Sequence, residues 1–498
     1  MLRRQLLARG ALALAPLPLI NTPGYAAIKS GTNSADRDLE GITLAGKEIT
    51  LSAASVRELA NGLSGDVLLS GSSSYETSRQ LLNPSFNKHP ALVVRASGAA
   101  DVSRAVQYAS DRSLLLAVKC GGHSASGKST CDGGMQIDLS QHRGVYIDPV
   151  EKTALVAGGS LLAELDHESM AHGLVTTAGT VSHTGVGGLT LGGGFGRLAR
   201  KLGLTIDNLL AVEIVTADGQ IRHASQDHNT DLFWAVRGGG GNYGVATAFK
   251  FKLHEMQPDV VAGSYVFPFS QAKQVLEFFG EFSELAPDEL HVGAGISAFP
   301  GRDPVVSINV DYSGDPADAQ RVIAPIEKAG SLVKSSVKQW DYLALQKSGD
   351  QDDPRANGSY MKSGFVPSVT PALARAMVDN FEPSPTRATW MATQQSGGAI
   401  NRIAPQATAF AHRDIGHNIL SFVGWPYGSD ATAHIAYIKQ YWQAVEPFTA
   451  GFYSNDVFTE DQNMINSNYG GNYLKLAALK GRFDPQNLFR LNTNIQPA

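Results

Sequence analysis

Three glycine-rich stretches constrain this chain more than any other feature: Lys119-Cys120-Gly121-Gly122-His123-Ser124, the run GVGGLTLGGGFG at 185–196, and GGGGNYG at 238–244. Glycine loses more backbone freedom on folding than any other residue, so clusters of it persist where a chain must turn tightly or approach a ligand closely. A tight strand connection explains any one cluster. Three together point to backbone amides converging on a pyrophosphate and a flavin-like ring. Gly239, Gly241 and Gly244 also satisfy the dinucleotide fingerprint. That fingerprint works with a strand before it and a helix after it, so that phosphate meets a helix N-terminus. Here the order is reversed, with a helical pattern at 229–236 and a strand pattern at 245–253, which disfavours a nicotinamide-type site.

The patterned region begins at 91. Residues 91–95 read as a strand, Asp101 as the cap of a helix with Val102, Ala105, Val106 and Ala109 at helical spacing, and 114–118 as a buried strand entering the first glycine loop. Short strands at 135–139, 145–147 and 154–157 precede a helix at 160–172, and Ala217-Asp218-Gly219 is a hairpin signal between 210–216 and 220–223. From 256 glycine-rich turns thin out, and strands such as 305–310 and 419–423 alternate with longer helices. The last stretch reads as a helix with Leu474, Ala477 and Ala478 on one face, halted by Asp484-Pro485 and packing back on the first domain. The expected division is a signal segment at 1–27, an α+β cofactor domain at 40–255, a substrate domain at 256–449, and a returning segment at 450–498.

The signal segment rests on Arg3 and Arg4 ahead of an apolar stretch at 11–20 and small residues to Ala27. Pro16 and Pro18 and the shortness of the stretch argue against a membrane span, and the paired arginines suggest twin-arginine export to the periplasm or beyond. Lys and Arg total 41 against 46 acidic residues, a net charge of −5 with no long basic run, so a nucleic-acid partner is not expected. The 2 cysteines, Cys120 and Cys131, are too few for a zinc ribbon; they read either as a bridge across a loop or as two inert thiols. His167 and His172 lie about 140° apart around a helix and so do not share a metal. No nucleophile elbow or Walker loop occurs. His123 stands out because glycines beside it let a ligand approach, and imidazole is a competent nucleophile toward an activated flavin methyl group. Covalent attachment suits an exported enzyme, which has no means of recapturing lost FAD, and it raises the electron affinity of the ring.

Four stretches carry a specific resemblance: VKCGGHSASG with DGGMQIDLS, the run GTVSHTGVGGLTLGGGFGRLARKLGLTIDNL, DLFWAVRGGGGNYGV, and the terminal NYLKLAALKGRFDPQNLFRLNTNIQP. With them the chain resembles the berberine-bridge-enzyme-like branch of the vanillyl-alcohol oxidase and p-cresol methylhydroxylase flavoproteins, and most closely its bacterial, singly tethered members. The middle third matches only in pattern, through Ala409-Phe410-Ala411-His412-Arg413.

The resemblance implies a two-lobed FAD-binding domain of the p-cresol methylhydroxylase type, plus a substrate domain with an antiparallel sheet flanked by helices. It implies an 8α-histidyl bond from His123 to FAD, with Gly121, Gly122 and Ser124 holding the pyrophosphate and Cys120 and Gly127 among the other cofactor-binding residues. Gly179, Thr180, Gly185, Gly187, Gly188 and Gly193 would lie against the isoalloxazine, with Val245 and Asn492 lining the site. Val181 stands where doubly tethered members place a cysteine, so one covalent bond is expected. Asp456 follows Tyr453-Ser454-Asn455 where many members carry a tyrosine.

The expected reaction is hydride transfer from a small alcohol, sugar or amine to FAD. Asp456, or a neighbour such as Tyr453 or Gln394, takes the accompanying proton, and dioxygen reoxidises the flavin to give hydrogen peroxide. Thr184 stands near the position that gates oxygen in this family and does not choose between an oxidase and a dehydrogenase with another acceptor. A non-catalytic FAD scaffold is the remaining alternative. The substrate itself is not named by any of these residues.

Overall fold

The computed structural model describes residues 36–350, 355–458 and 461–498. The export segment expected at 1–27 lies outside them.

Strand Leu92–Arg95 and strand Leu116–Lys119 both pair in parallel with Met135–Asp138, and Asp66–Leu68 adds an antiparallel edge. Parallel strands need a crossover, and helix Ala99–Asp111 supplies the one between the two strands that flank Met135–Asp138, burying Val102, Ala105, Val106 and Ala109. Asp101 is not the cap of this helix, which starts two residues earlier. Its carboxylate reaches back to accept the backbone N–H groups of Ser64, Gly65 and Ser97, and these donors hold its pKa below the ordinary value despite burial. The chain leaves the end of Leu116–Lys119 directly into the first glycine loop, at the carboxyl end of the parallel strands.

A second, antiparallel sheet runs in the order Ile221–Ser225, Leu209–Val215, Val245–Lys252, Thr153–Ala157 and Val145–Asp148. Its first pair is the hairpin announced by Asp218-Gly219, with Gly219 at φ +74°. Helix Thr230–Val236 and the terminal helix Tyr473–Phe483 pack on this unit through Leu232, Phe233, Phe249, Leu476 and Phe483. The terminal helix does end before Asp484-Pro485, but its docked face differs from the expected one. Leu474 is 80% exposed, while Leu476, Ala477 and Lys480 turn inward. The reason is an ion pair. The Lys480 ammonium and the Asp484 carboxylate, both at 0% side-chain exposure, meet at 2.6 Å, and Lys480 also donates to the carbonyl of Asn242 at 2.7 Å.

The third sheet is antiparallel and spans Asp259–Pro268, Val305–Tyr312, Leu290–Ala298, Ala388–Gln395, His417–Pro426 and Asn357–Val366 in spatial order. Helices Ala272–Glu284, Pro371–Asp379 and Thr432–Val445 cover one face and bury Val275, Phe279, Met391, Ile419 and Trp442 with it. Alternation along Ala388–Gln395 is regular: Thr389, Met391, Thr393 and Gln395 are buried under the helices, and the intervening residues are half-buried on the other face. Buried arginines tie this sheet to the glycine-rich unit. Arg200 donates to the carbonyls of Ser396 and Ala286, and Arg413 makes a two-pronged pair with Asp207 at 2.8 Å. The uncovered face is thereby held over the glycine loops. The architecture is α+β, with helices beside antiparallel sheets, as the sequence indicated.

Candidate active site

The three glycine loops and the uncovered sheet face enclose one cavity of about 1000 Å³, at the upper end of the range for ligand pockets. The first two loops are pressed together: a Cβ on Gly121 would lie 2.4 Å from the backbone nitrogen of Gly185. Gly122, at φ +75°, takes a conformation that L side chains rarely adopt. Gly188 faces open space, and a Cβ there would project into the cavity rather than meet protein. The third loop contributes Gly240, Gly241 and Gly244 and is locked to the chain end. Asn242 donates to the carbonyl of Thr493 at 3.0 Å and accepts from the N–H of Ile495 at 3.0 Å, which sets Asn492 in the wall.

His123 sits in that wall with its Nε2 at 2.6 Å from His183 Nδ1. Its Nδ1 lies 3.4 Å from the Thr184 hydroxyl. Burial, and then the neighbouring His183, push its pKa down to about 4, so the ring is neutral at physiological pH and one of its nitrogens carries a lone pair. His183 Nε2 is a buried nitrogen with no hydrogen-bond partner and lies 3.9 Å from the Asp350 carboxylate. Asp350 is held in turn by the Ser182 hydroxyl at 2.6 Å and the Ser182 N–H at 3.0 Å.

At the sheet end, Asp456 lines the same cavity. Burial pushes its carboxyl up to about 7, against the opposing effect of a 2.9 Å hydrogen bond from Asn418. Asn418 also lies 3.4 Å from Gln394 Oε1, so its amide bridges the two side chains. The Tyr453 phenol oxygen accepts from the Gly194 N–H and the Asn455 amide, both at 2.9 Å, and burial pushes its pKa far above the ordinary value. Tyr453 therefore keeps its proton, and Gln394 has no basic atom. Of the three side chains considered as proton acceptors, only Asp456 titrates in a useful range.

Most of the expected cofactor residues meet here. Cys120, Gly121, Gly122, His123 and Ser124 line the cavity, as do Gly179, Thr180, Gly185, Gly187 and Gly188, together with Val245 and Asn492. Gly127 and Gly193 stand behind the wall: a Cβ on the first would strike the Phe86 ring at 2.3 Å, and one on the second would press on Phe410 at 3.2 Å. Both cysteines are free thiols. Cys120 turns its sulfur to the carbonyl of Gly158 at 3.0 Å, and burial raises its pKa. Val181 lines the cavity with no sulfur to offer. Among the described residues no cluster of histidine, cysteine and carboxylate side chains fits a metal, and no helix is long and apolar enough to cross a membrane.

The sequence reading missed His183, which lies two residues before the second glycine run and whose Ser-His-Thr context was the available signal. It also missed Asn418, which carries no local signature at all.

The donors present fit a flavin dinucleotide: a neutral imidazole beside an orphaned ring nitrogen, amide-rich loops in close contact, and room for a cofactor and a small substrate together. Comparison with known proteins agrees. Residues 90–225 match the model of the FAD binding domain, and residues 453–496 match the berberine and berberine-like model. An FAD-linked oxidoreductase of Dictyostelium discoideum is 33% identical over 450 residues, covering 89% of this chain and 97% of that protein. The chitooligosaccharide oxidase of Gibberella zeae is 28% identical, covering 86% of this chain and 91% of that protein. The crystal structure of 6-hydroxy-D-nicotine oxidase from Arthrobacter nicotinovorans superimposes with a TM-score of 0.80 at 28% identity, covering 88% of this chain and 98% of that one.

Proposed function

The chain belongs to the berberine-bridge-enzyme-like FAD-linked oxidoreductases, which act on small organic substrates, and on that footing we propose that His123 carries the FAD covalently and Asp456 takes the substrate proton. The observation that supports this most is one cavity holding a neutral histidine between interlocked glycine loops at one end and a carboxyl poised near pH 7 at the other.

FAD, when bound, supplies the two-electron acceptor for a hydride. His183 fixes His123 through Nε2 and leaves Nδ1 as the attaching nitrogen, and Asp350 steadies His183 from the far side. Asp456, once ionised, accepts the proton of a substrate O–H or N–H group. Asn418 and Gln394 orient it, and Tyr453 offers its phenol proton as a donor from the same end. The substrate loses two electrons and two protons and leaves as a carbonyl or imine. Dioxygen as terminal acceptor carries them off as hydrogen peroxide. Val181, and the turned-away sulfur of Cys120, favour a single tether.

Residues 40–255 with 450–498 form the cofactor domain in this reading, 256–449 the substrate domain, and 1–27 an export signal cleaved outside the cytoplasm. The test is acid precipitation of the purified protein. Yellow colour that stays in the pellet, and leaves it in His123→Ala, is the expected result. Colour released from the unaltered protein overturns the tether. Substrate-dependent bleaching without air tests the oxidoreductase step, and peroxide release separates dioxygen from other acceptors.

A further inference from the structure

The uncovered sheet face changes along its strands from polar at the Asp456 end to apolar. Strand pairing sorts its side chains into rows. Gln394 stands opposite Asn418, the row that holds Asp456. The next row outward pairs Ala392 with Leu420 and, on the other side, with Gly295. The row beyond it sets Trp390 opposite Phe422, with Met361 next to Phe422 on the neighbouring strand. Ala388 and Gly424 follow. Successive rows on one face are two residues apart, so the aromatic row lies about 13 Å from the Gln394–Asn418 row.

The row between is apolar, with Leu420 at the cavity wall beside Ala392 and Gly295, and the aromatic row follows it outward. The Trp390 and Phe422 rings stack with centroids 4.9 Å apart and planes 13° apart. Both line the cavity, while Met391 and Val423 beside them in the chain are fully buried under the helices. Phe299, 42% exposed, adds a further ring at the cavity wall. No strand residue lining the cavity is charged, and its polar strand residues are Asn357, Ser359 and Gln394. Such a floor offers a hydroxyl-rich sugar Asn357, Ser359 and Gln394 as strand partners, and any hydroxyl buried on it without a partner costs about 1–3 kcal/mol.

We propose that this enzyme takes an elongated, ring-bearing alcohol or amine, with the carbon to be oxidised beside Asp456 and the ring against Trp390, Phe422 and Met361. The proposal rests on the functional reading above and names the substrate class of that site.

The test uses the flavin-loaded enzyme and a series of ω-phenylalkan-1-amines and ω-phenylalkan-1-ols of increasing length, with maltose and maltotriose as hydroxyl-rich counterparts. Binding is read by tryptophan fluorescence and by calorimetry, and oxidation by anaerobic bleaching. Affinity should rise by about fourfold per methylene until the chain spans the distance between the two rows. Trp390→Leu and Phe422→Leu should each weaken the longer members about tenfold, and Trp390→Phe, which keeps a ring, should restore most of that loss. Flavin content and circular dichroism report whether each variant folds. Affinity independent of length, an unchanged length dependence in Trp390→Leu, or tighter binding of maltotriose than of any phenylalkyl member overturns the substrate class. None of those results touches the tether, which fails only if pigment leaves the acid-precipitated protein.

Discussion

Replacing Asp456 with asparagine tests the proposed chemistry through two independent quantities. In the folded protein the carboxyl titrates at about 7, against 3.8 as its ordinary value, because burial disfavours the charged form more than the Asn418 amide stabilises it. If the ionised form is the proton acceptor, the rate of anaerobic flavin reduction follows its population, about half at pH 7 and about 1% at pH 5. The wild-type rate should therefore fall about fiftyfold between those pH values. Asp456→Asn should be slower by a factor of about 10² to 10⁴ at pH 8 and lose that limb of the profile.

The same raised pKa makes a stability prediction. Below 3.8 both folded and unfolded chains are protonated at this site, so it is neutral for folding. Between 3.8 and 7 the unfolded chain releases a proton that the folded chain keeps, so stability falls as pH rises, and above 7 the loss is complete. The separation corresponds to about 4 kcal/mol, an upper limit because Asp456 is only partly buried. Asp456→Asn should thus be more stable than the unaltered protein at pH 8, by up to that amount, and equal to it near pH 3. Stopped-flow reduction and urea melts measure the two effects. A variant that reduces its flavin at the wild-type rate with the same pH limb refutes Asp456 as the acceptor. A variant with no stability gain at pH 8 refutes the desolvation argument.

Three further outcomes follow from the geometry. His183→Ala removes the partner 2.6 Å from His123 and should lower the fraction of flavin that survives acid precipitation, measured against total flavin in freshly purified protein; an undiminished fraction removes His183 from the attachment. Gly121→Ala places a methyl group 2.4 Å from the backbone of Gly185, where no side chain can yield, so the two loops must part at a cost of about 1–3 kcal/mol and flavin occupancy should drop, as absorbance would show. Lys480→Met leaves the Asp484 carboxylate buried without its cation and should cost about 3–5 kcal/mol in a denaturant melt, with the terminal segment opening first by hydrogen exchange.

The glycine loops and His123 were legible from the chain alone because their signals are local. A turn that needs positive φ or a close backbone approach admits little besides glycine, and the requirement is written at the position itself. The Asp218-Gly219 hairpin and the halt at Asp484-Pro485 were readable for the same reason. His183 and Asp456 were also present in quoted motifs, but their environments were not. The 2.6 Å contact to His123 depends on two loops that lie some 60 positions apart in the chain and meet only because Gly121 and Gly185 allow it.

Other features were decided by the tertiary structure alone. Asp101 reads as a cap by its position, yet two of the backbone donors it meets, Ser64 and Gly65, come from a turn more than 30 residues upstream. The terminal helix has more than one apolar stripe, and docking chose the one that includes Lys480 because Asp484 and the Asn242 carbonyl wait there for its ammonium. The substrate floor shows the limit most plainly. Period-two alternation in Ala388–Gln395 and His417–Pro426 says that each strand has two faces, without saying which one the helices cover. Only the pairing of distant strands puts Trp390 beside Phe422 and Asn418 beside Asp456, so the residues that choose the substrate carry no mark in the sequence. Glycine loops are specified by backbone sterics within a few residues; a cavity wall is specified by register between strands, which the chain encodes only collectively.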